Sequence, residues 1–188
     1  MAISINEAMA RANSISLKGL GNTWPNPIVG AVLLSPSGEV LSEGFHQRGA
    51  NSAVGDHAEV VALKLAGERA RGAVLVVTLE PCNHHGKTPP CTDAIIAAGV
   101  AKVIYAVADP NPDAQGGHEK LKGAEIDVVV FDDRSEIEAA NRTWLFKMKS
   151  GRPYVSAKIA TTADGFIAAA DGTSRSEERR VGKEGRSR

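Results

Sequence analysis

The sequence has few cysteines, no long apolar run and no leader-like N-terminus. Cys82 and Cys91 are the only cysteines among its 188 residues. No stretch approaches the roughly 20 apolar residues that a membrane-spanning helix needs. The first residues also lack the basic and apolar regions of a signal peptide. We therefore expect a cytoplasmic protein, in which metal ligation by two thiolates is favoured over the alternative of a disulfide.

The chain also has no excess of charge of either sign. Lys and Arg together number 22, as do Asp and Glu, and no internal repeat is present. This balance gives no indication of a nucleic-acid or membrane partner. A hydrophobic fraction of 43% is ordinary for a globular protein, and the length suits one full domain but hardly two.

The apolar residues follow helical and strand periodicities in turn. The first two predicted strands form a hairpin, and after residue 57 strands alternate with helices, which favours βαβ units and parallel pairing. We therefore predict an α/β fold with a mixed sheet covered by helices on both faces. The carboxyl of Asp56 is a candidate cap for the second helix. The predicted strands span 28–34, 40–46, 73–79, 100–108 and 126–131; the predicted helices span 5–17, 58–66, 91–98, a short segment near 119–121, and 134–149.

Three good zinc ligands occur where these elements begin or end. His57 precedes a predicted helix, Cys82 follows a predicted strand and Cys91 opens another helix. Such positions converge at one edge of an α/β sheet. Three nitrogen or sulfur ligands leave the fourth tetrahedral position open to water, as in a catalytic site. The alternative is a closed structural site in which His84 or His85 is the fourth ligand.

A carboxylate lies two residues after the histidine. The pattern His57-Ala58-Glu59, followed by Pro81-Cys82, matches the signature of zinc-dependent nucleobase deaminases, in which the Glu is the general acid and base and not a ligand. Glu59 would take a proton as hydroxide attacks an amidine-type ring carbon. It would then protonate the ring nitrogen and the leaving amine, so that ammonia departs.

Several longer segments resemble one family within this group, the deaminase domain of the bifunctional riboflavin-biosynthesis deaminase/reductase. The resemblance covers roughly residues 5–165. Eight residues separate Cys82 from Cys91, whereas polynucleotide and free-nucleoside deaminases usually have Cys-x-x-Cys. The segments that carry the resemblance are Pro25-Asn26-Pro27-Ile28-Val29-Gly30, Gly44-Phe45-His46, His57-Ala58-Glu59-Val60, the run from Thr78 to Cys91, and Asp109-Pro110-Asn111-Pro112.

The resemblance implies a fold, a reaction and a binding site. The fold would be a three-layer α/β/α cytidine-deaminase-like fold with a mixed, mostly parallel sheet. The reaction would be the zinc-dependent hydrolytic deamination of 2,5-diamino-6-(5-phosphoribosylamino)pyrimidin-4(3H)-one. Lys87 would contact the phosphate of this small molecule, or else be a solvated loop lysine. The base and ribose would contact Asn26, His46, Asp109 and Asn111, although Asn26 and Asn111 are also ordinary turn formers beside proline.

The C-terminal part is predicted to differ from the rest. Residues 1–150 would form the deaminase domain and residues 151–174 the stub of a truncated NADPH-dependent reductase domain. Its first strand, near 155–159, would lack sheet partners. Ala160 would be a remnant of the NADP site, and no reductase activity is expected. Residues 175–188 lack apolar periodicity and resemble a translated sequencing adaptor, so we predict a disordered, artefactual tail. The resemblance allows a homo-oligomer of a full-length parent protein.

Two other functions remain open on the sequence alone. One is the deamination of a different base, such as guanine, dCMP or a tRNA adenosine. The other is a binding module held together by zinc, without turnover. The long spacing between Cys82 and Cys91 favours the phosphoribosylated pyrimidine over the first of these.

Overall fold

The computed structural model describes residues 1–48, 55–86, 89–168, 170 and 172. The chain divides into two compact units, Met1–Tyr154 and Val155–Arg188. In the second unit, the described residues form no helix or strand, and this includes the predicted strand at 155–159. The predicted tail at 175–188 lies outside the described residues. No helix in the described parts of the chain is long and apolar enough to cross a membrane.

The first unit contains the sheet and its helices. Every predicted strand is present, with ends that differ by a few residues. The strands are β1 (Gly30–Leu34), β2 (Val40–Phe45), β3 (Val74–Leu79), β4 (Lys102–Val107) and β5 (Asp127–Val130). The helices are α1 (Ile5–Ser16), α2 (Ala58–Ala66), α3 (Cys91–Ala98), α4 (Gly117–Gly123), α5 (Ser135–Ala140) and α6 (Arg142–Ser150).

The five strands are arranged in the order β2-β1-β3-β4-β5. The α/β class and the mixed sheet are confirmed, but parallel pairs do not predominate. β1 is antiparallel to both β2 and β3, whereas β3–β4 and β4–β5 are parallel. β2 and β3, which α2 connects, run in the same direction, as expected of strands joined by a helix. They form no parallel pair because β1 lies between them.

Two close-packed glycines show that helices cover both faces of the sheet. A Cβ on Gly30 would lie 1.9 Å from the carbonyl oxygen of Ala12 in α1, and one on Gly44 would lie 2.2 Å from that of Ala58 in α2. Gly44 pairs with Ala31, the neighbour of Gly30. Because successive residues of a strand face opposite sides, α1 and α2 lie on opposite faces. The predicted three-layer arrangement is therefore confirmed.

The buried core lies along the middle strands. Val32, Leu75, Val76 and Val103 are fully buried, as expected for apolar runs covered on both faces. Each such side chain contributes roughly 1.5–3 kcal/mol relative to an exposed position. β3 lies in this most buried part of the sheet. The candidate ligands Cys82 and Cys91 lie near its end and are therefore attached to a rigid strand.

The start of α2 differs from the prediction. His57 occupies the N-cap position of α2, without a hydrogen bond from its side chain to the helix. Asp56 lies one residue too early to cap this helix. Its carboxylate instead accepts a hydrogen bond from Nζ of Lys64, at 2.6 Å. The imidazole of His57 is consequently free of a capping role.

The predicted helix at 134–149 is wrong as a single helix, because it breaks at Asn141 into α5 and α6. The buried amide of Asn141 bridges both backbone groups of Ile28. Its Oδ1 accepts from the N–H of Ile28 at 3.0 Å, and its Nδ2 donates to the carbonyl of Ile28 at 2.9 Å. This bridge fixes the segment that follows Asn26 and Pro27 against the junction of the two helices.

Candidate metal centre

The three predicted zinc ligands come from three separate junctions. His57 stands at the start of α2, Cys82 follows the end of β3, and Cys91 is the first residue of α3. The loop between the cysteines is closed by the backbone. Cys91 N–H points to the sulfur of Cys82 at 3.4 Å, and Thr92 N–H donates to the carbonyl of Cys82 at 3.3 Å. The start of α3 is therefore fixed against the end of β3.

The donor atoms of these residues lie close enough together to share an ion. Nδ1 of His57 is 3.0 Å from Sγ of Cys91 and 3.5 Å from Sγ of Cys82. All three atoms lie within 4.8 Å of one another, and no fourth His, Cys, Asp or Glu of the described residues joins the group. The imidazole of His85 is 79% exposed, and lies 3.9 Å from the carboxylate of Asp93.

The chemistry of the donors fits zinc. One imidazole nitrogen and two sulfurs are typical zinc ligands. A hydrogen bond from the Cys91 thiol, together with His57, lowers the pKa of Cys82 to about 4. The hydrogen bond to Cys82 in turn raises the pKa of His57. The Cys91 pKa is raised by its hydrogen bond with Cys82 and by burial, so this thiol keeps its proton. Cys82 therefore favours the thiolate form, whose negative charge a divalent cation would neutralise.

Glu59 lies beside this cluster without belonging to it. It is in the first turn of α2 and only 4% exposed. Burial raises the pKa of its carboxyl, and the side chain interacts with the thiol of Cys91. A buried carboxyl whose pKa is raised in this way holds its proton more strongly than an exposed one, which suits a general acid and base.

A cavity of about 580 Å³ opens onto the cluster. His57, Glu59 and Cys82 line it, as do four of the five residues predicted to contact the substrate: Asn26, His46, Asp109 and Asn111. The fifth, Lys87, lies outside the described residues. Ala160, the predicted remnant of an NADP site, belongs to the second unit.

Two of these cavity residues are buried and ionisable. Burial lowers the pKa of His46 to about 4, and its ring centre is 5.1 Å from that of His57. Burial raises the pKa of Asp109 to about 6. Oδ1 of Asp109 accepts the N–H of Asn111 at 2.9 Å. The cavity therefore offers a neutral imidazole and a fixed carboxyl group at its wall.

Sequence reasoning missed two cations in the cavity wall, Arg48 and Lys147. The guanidinium of Arg48 donates to the carbonyl of Trp24, and Nζ of Lys147 lies 4.6 Å from the centre of the Trp24 ring. Within the described part of the chain neither forms an ion pair with a carboxylate. Helical spacing could have indicated Lys147, because it lies three residues after the buried Trp144.

Two residues next to the candidate ligand Cys82 were not predicted to line the cavity: Glu80, and His84, which the sequence offered only as an alternative fourth ligand. Glu80 is buried and lines the cavity, although it forms part of a segment that the resemblance had already singled out. His84 lines the same cavity, and its buried Nδ1 has no hydrogen-bond partner.

Comparison with known proteins places these features in context. A family profile described as the cytidine and deoxycytidylate deaminase zinc-binding region matches residues 3–107, more than half of the chain. The chain is 49% identical over 172 residues to riboflavin biosynthesis protein RibD of Mycobacterium tuberculosis, covering 91% of this chain and 50% of that protein. For RibD of Escherichia coli K12 the identity is 48% over 167 residues, covering 88% and 44%.

A solved structure is similar as well. It is the diaminohydroxyphosphoribosylaminopyrimidine deaminase/5-amino-6-(5-phosphoribosylamino)uracil reductase of Thermotoga maritima, with a TM-score of 0.83 and 40% identity. The match covers 91% of this chain and 48% of that one. The chain thus spans about half the length of the curated relatives it matches.

Proposed function

The chain belongs to the family defined by the cytidine and deoxycytidylate deaminase zinc-binding region, and from this premise we propose that it deaminates 2,5-diamino-6-(5-phosphoribosylamino)pyrimidin-4(3H)-one by zinc-dependent hydrolysis. The reaction replaces an exocyclic C–N bond by a C–O bond and releases ammonia. The observation that carries the proposal is the cluster of one imidazole and two sulfurs beside the buried Glu59.

His57, Cys82 and Cys91 would hold the metal. When bound, zinc supplies a Lewis acid and lowers the pKa of water toward about 7. The cluster contributes three protein donors among the described residues, which suits a catalytic rather than a closed structural site. Neither of the two alternative fourth ligands, His84 and His85, belongs to the group, and the side chain of His85 is 79% exposed, which supports the same view.

Glu59 would carry the protons. Its raised pKa would let the carboxylate accept one proton from the attacking water and pass it to the ring nitrogen. It would then take the second proton from the added oxygen and pass it to the leaving amine, which departs as ammonia. The position of Glu59 on α2, two residues after His57, keeps it beside the reacting atoms. Its burial excludes bulk water, which would otherwise compete for the same protons.

The remaining cavity residues suit a polar ring with an anionic side arm. Asn26, His46, Asp109 and Asn111 would contact the base and ribose. Arg48 and Lys147 add positive charge to the wall, and phosphate binding calls for such donors. The contact between Lys87 and the phosphate stays a prediction. The similar Thermotoga maritima protein is a diaminohydroxyphosphoribosylaminopyrimidine deaminase by name, which supports the same substrate for this chain.

The decisive experiment measures ammonia release and zinc content on one sample of the full 188-residue chain. The panel contains the phosphoribosylamino pyrimidine, guanine, dCMP and a tRNA adenosine substrate. We expect turnover of the first compound only. Faster release from another base would replace the proposed substrate. Zinc binding without any release would leave a binding module instead of an enzyme.

We also infer the nature of the C-terminal residues, the location of the protein and its partner. Residues 151–174 would correspond to the beginning of the reductase domain, and an NADP site would need that whole domain. A cytoplasmic location would suit thiolate ligands that must stay reduced. The partner would be the small-molecule substrate, without nucleic acid or membrane.

A further inference from the structure

The residue two positions before the ligand Cys82 has its own role in the cavity. Glu80 directly follows β3 and is 8% exposed. Both oxygens of its carboxylate accept backbone N–H groups from other segments. Oε2 accepts from Asp109 at 3.3 Å, and Oε1 accepts from His118 at 3.0 Å. We propose that Glu80 is a positioning residue that sets the place of the Asp109–Asn111 wall relative to the metal ligands.

A carboxylate is an expensive group to bury for structural purposes alone. Burial of a charge is unfavourable unless hydrogen bonds or an opposite charge compensate for it. Glu80 takes part in none of the ion pairs formed by the described residues. Its compensation comes from two charge-assisted hydrogen bonds to the backbone, which are stronger than neutral ones. Removing the charge therefore affects the two segments that donate them.

One of these segments is the wall of the cavity. The backbone N–H of Asp109 donates to Glu80, and Oδ1 of the same residue accepts the N–H of Asn111 at 2.9 Å. Oδ1 of Asn111 then accepts the N–H of Asp113 at 3.2 Å. The loop returns to the metal-ligand segment where Asn83 N–H donates to the carbonyl of Ala114 at 3.1 Å. The wall is thus attached on both sides of Cys82.

The other segment is the start of α4, which approaches the Glu80–Cys82 segment very closely. A Cβ on Gly117 would lie 1.9 Å from the carbonyl oxygen of Pro81. Only glycine permits this approach, and it brings the N–H of the next residue, His118, to Glu80. The carboxylate therefore links the metal-ligand loop, the cavity wall and α4.

This inference rests on the proposed function, because Asp109 and Asn111 matter as substrate contacts. The test compares wild type with Glu80→Gln in the full chain, using the phosphoribosylamino pyrimidine as substrate. The amide substitution replaces one acceptor oxygen by a donor that faces a backbone N–H. The backbone N–H of Asp109 or His118 would then lose its acceptor, and the cavity wall would shift. We therefore expect KM to rise by about tenfold. We expect kcat to change much less and the zinc content to stay the same.

The matched control is Glu119→Gln, the same substitution on the exposed face of α4. It should leave KM and kcat unchanged. Glu80→Asp, which keeps the charge but is shorter, should give an intermediate KM. If Glu80→Gln lowers only the unfolding temperature while KM stays at the wild-type value well below that temperature, Glu80 is merely structural and the proposal is overturned.

Hydrogen exchange of the backbone amides provides a readout that needs no turnover. In the wild type, the N–H groups of Asp109 and His118 should be protected although both lie at or near loops. In Glu80→Gln they should exchange about tenfold faster, while the amides of β4 stay unchanged. Fast exchange of both amides in the wild type would disprove the anchoring. If the wild type released no ammonia, the proposed function would fail, while this arm would still decide whether Glu80 fixes the wall.

Discussion

Nδ1 of His57 lies 3.0 Å from Sγ of Cys91, although the two residues are 34 positions apart. The contact joins the N-cap residue of α2 to the first residue of α3. Cys82, at the end of β3, completes the group. Two helices and one strand thus each place one donor atom at the candidate metal site. The contribution of each neighbouring side chain can be tested by substitution.

Removing one sulfur should remove the metal. Cys91→Ser replaces a fully buried sulfur by a hydroxyl, which is a poor zinc ligand at neutral pH. We expect the zinc content to fall from about one ion per chain to a small fraction of that value. Metal analysis after gel filtration measures it. His85→Ala serves as the control and should keep its zinc, since this side chain is 79% exposed. An equal loss in both variants would contradict the three-donor site.

Removing the carboxylate beside the cluster should stop turnover but keep the metal. Glu59→Gln preserves the shape of the side chain and abolishes its ability to accept a proton. We expect kcat to fall by about a hundredfold or more, which is the range of general acid–base catalysis. Ammonia release and zinc content are measured together, with the exposed Glu68→Gln as control. Unchanged release from Glu59→Gln would favour a different base.

The buried carboxyl of Asp109 should make stability depend on pH. Its folded-state pKa is raised from 3.8 to about 6 by burial, so the folded protein holds its proton at pH values where the unfolded chain has lost it. Stability should therefore fall as pH rises from about 4 to about 6. Asp109→Asn keeps an acceptor for the N–H of Asn111 and loses this dependence.

The expected difference can be measured by urea unfolding of the chelator-treated proteins. Between pH 4 and pH 7, the variant should gain about 2 kcal/mol relative to wild type, after allowance for partial solvation of the carboxyl. Parallel stability curves for the two proteins would show that Asp109 titrates normally.

The packing of α2 on the sheet should tolerate no side chain at residue 44. A Cβ on Gly44 would lie 2.2 Å from the carbonyl of Ala58, next to His57 and Glu59. Gly44→Ala should lower the free energy of unfolding by about 2 kcal/mol and displace the start of α2. Thermal and urea unfolding measure the first effect, and zinc affinity the second. Gly123→Ala, with open space around its Cβ, should be neutral or slightly stabilising.

The parts of the site that the sequence could predict depend on local signals. His57, Cys82 and Cys91 each stand where apolar periodicity starts or stops, so their approach to one edge follows from the α/β pattern alone. The three-layer fold follows from the same pattern. These predictions needed no knowledge of which strands are neighbours.

The predictions that were wrong concern features that depend on contacts between residues far apart in the sequence. Nothing in the periodicity of 134–149 signals that Asn141 bridges the backbone of Ile28, 113 positions away, and breaks the helix there. Periodicity is equally silent on β1 entering between β2 and β3, which makes half of the strand pairs antiparallel. The prediction that Asp56 caps α2 was wrong by one position, because the helix begins at Ala58 and its N-cap residue is His57.

The bridge between Ile28 and Asn141 has a consequence during protein synthesis. His57, Cys82 and Cys91 leave the ribosome well before Asn141. A nascent chain would therefore have all three metal donors before the cavity segment that contains Asn26 is held by its hydrogen bonds to Asn141. The backbone of Ile28, two residues after Asn26, gains its two hydrogen bonds to Asn141 only after that residue has emerged. Loading with metal would therefore precede competence for substrate in the life of each molecule.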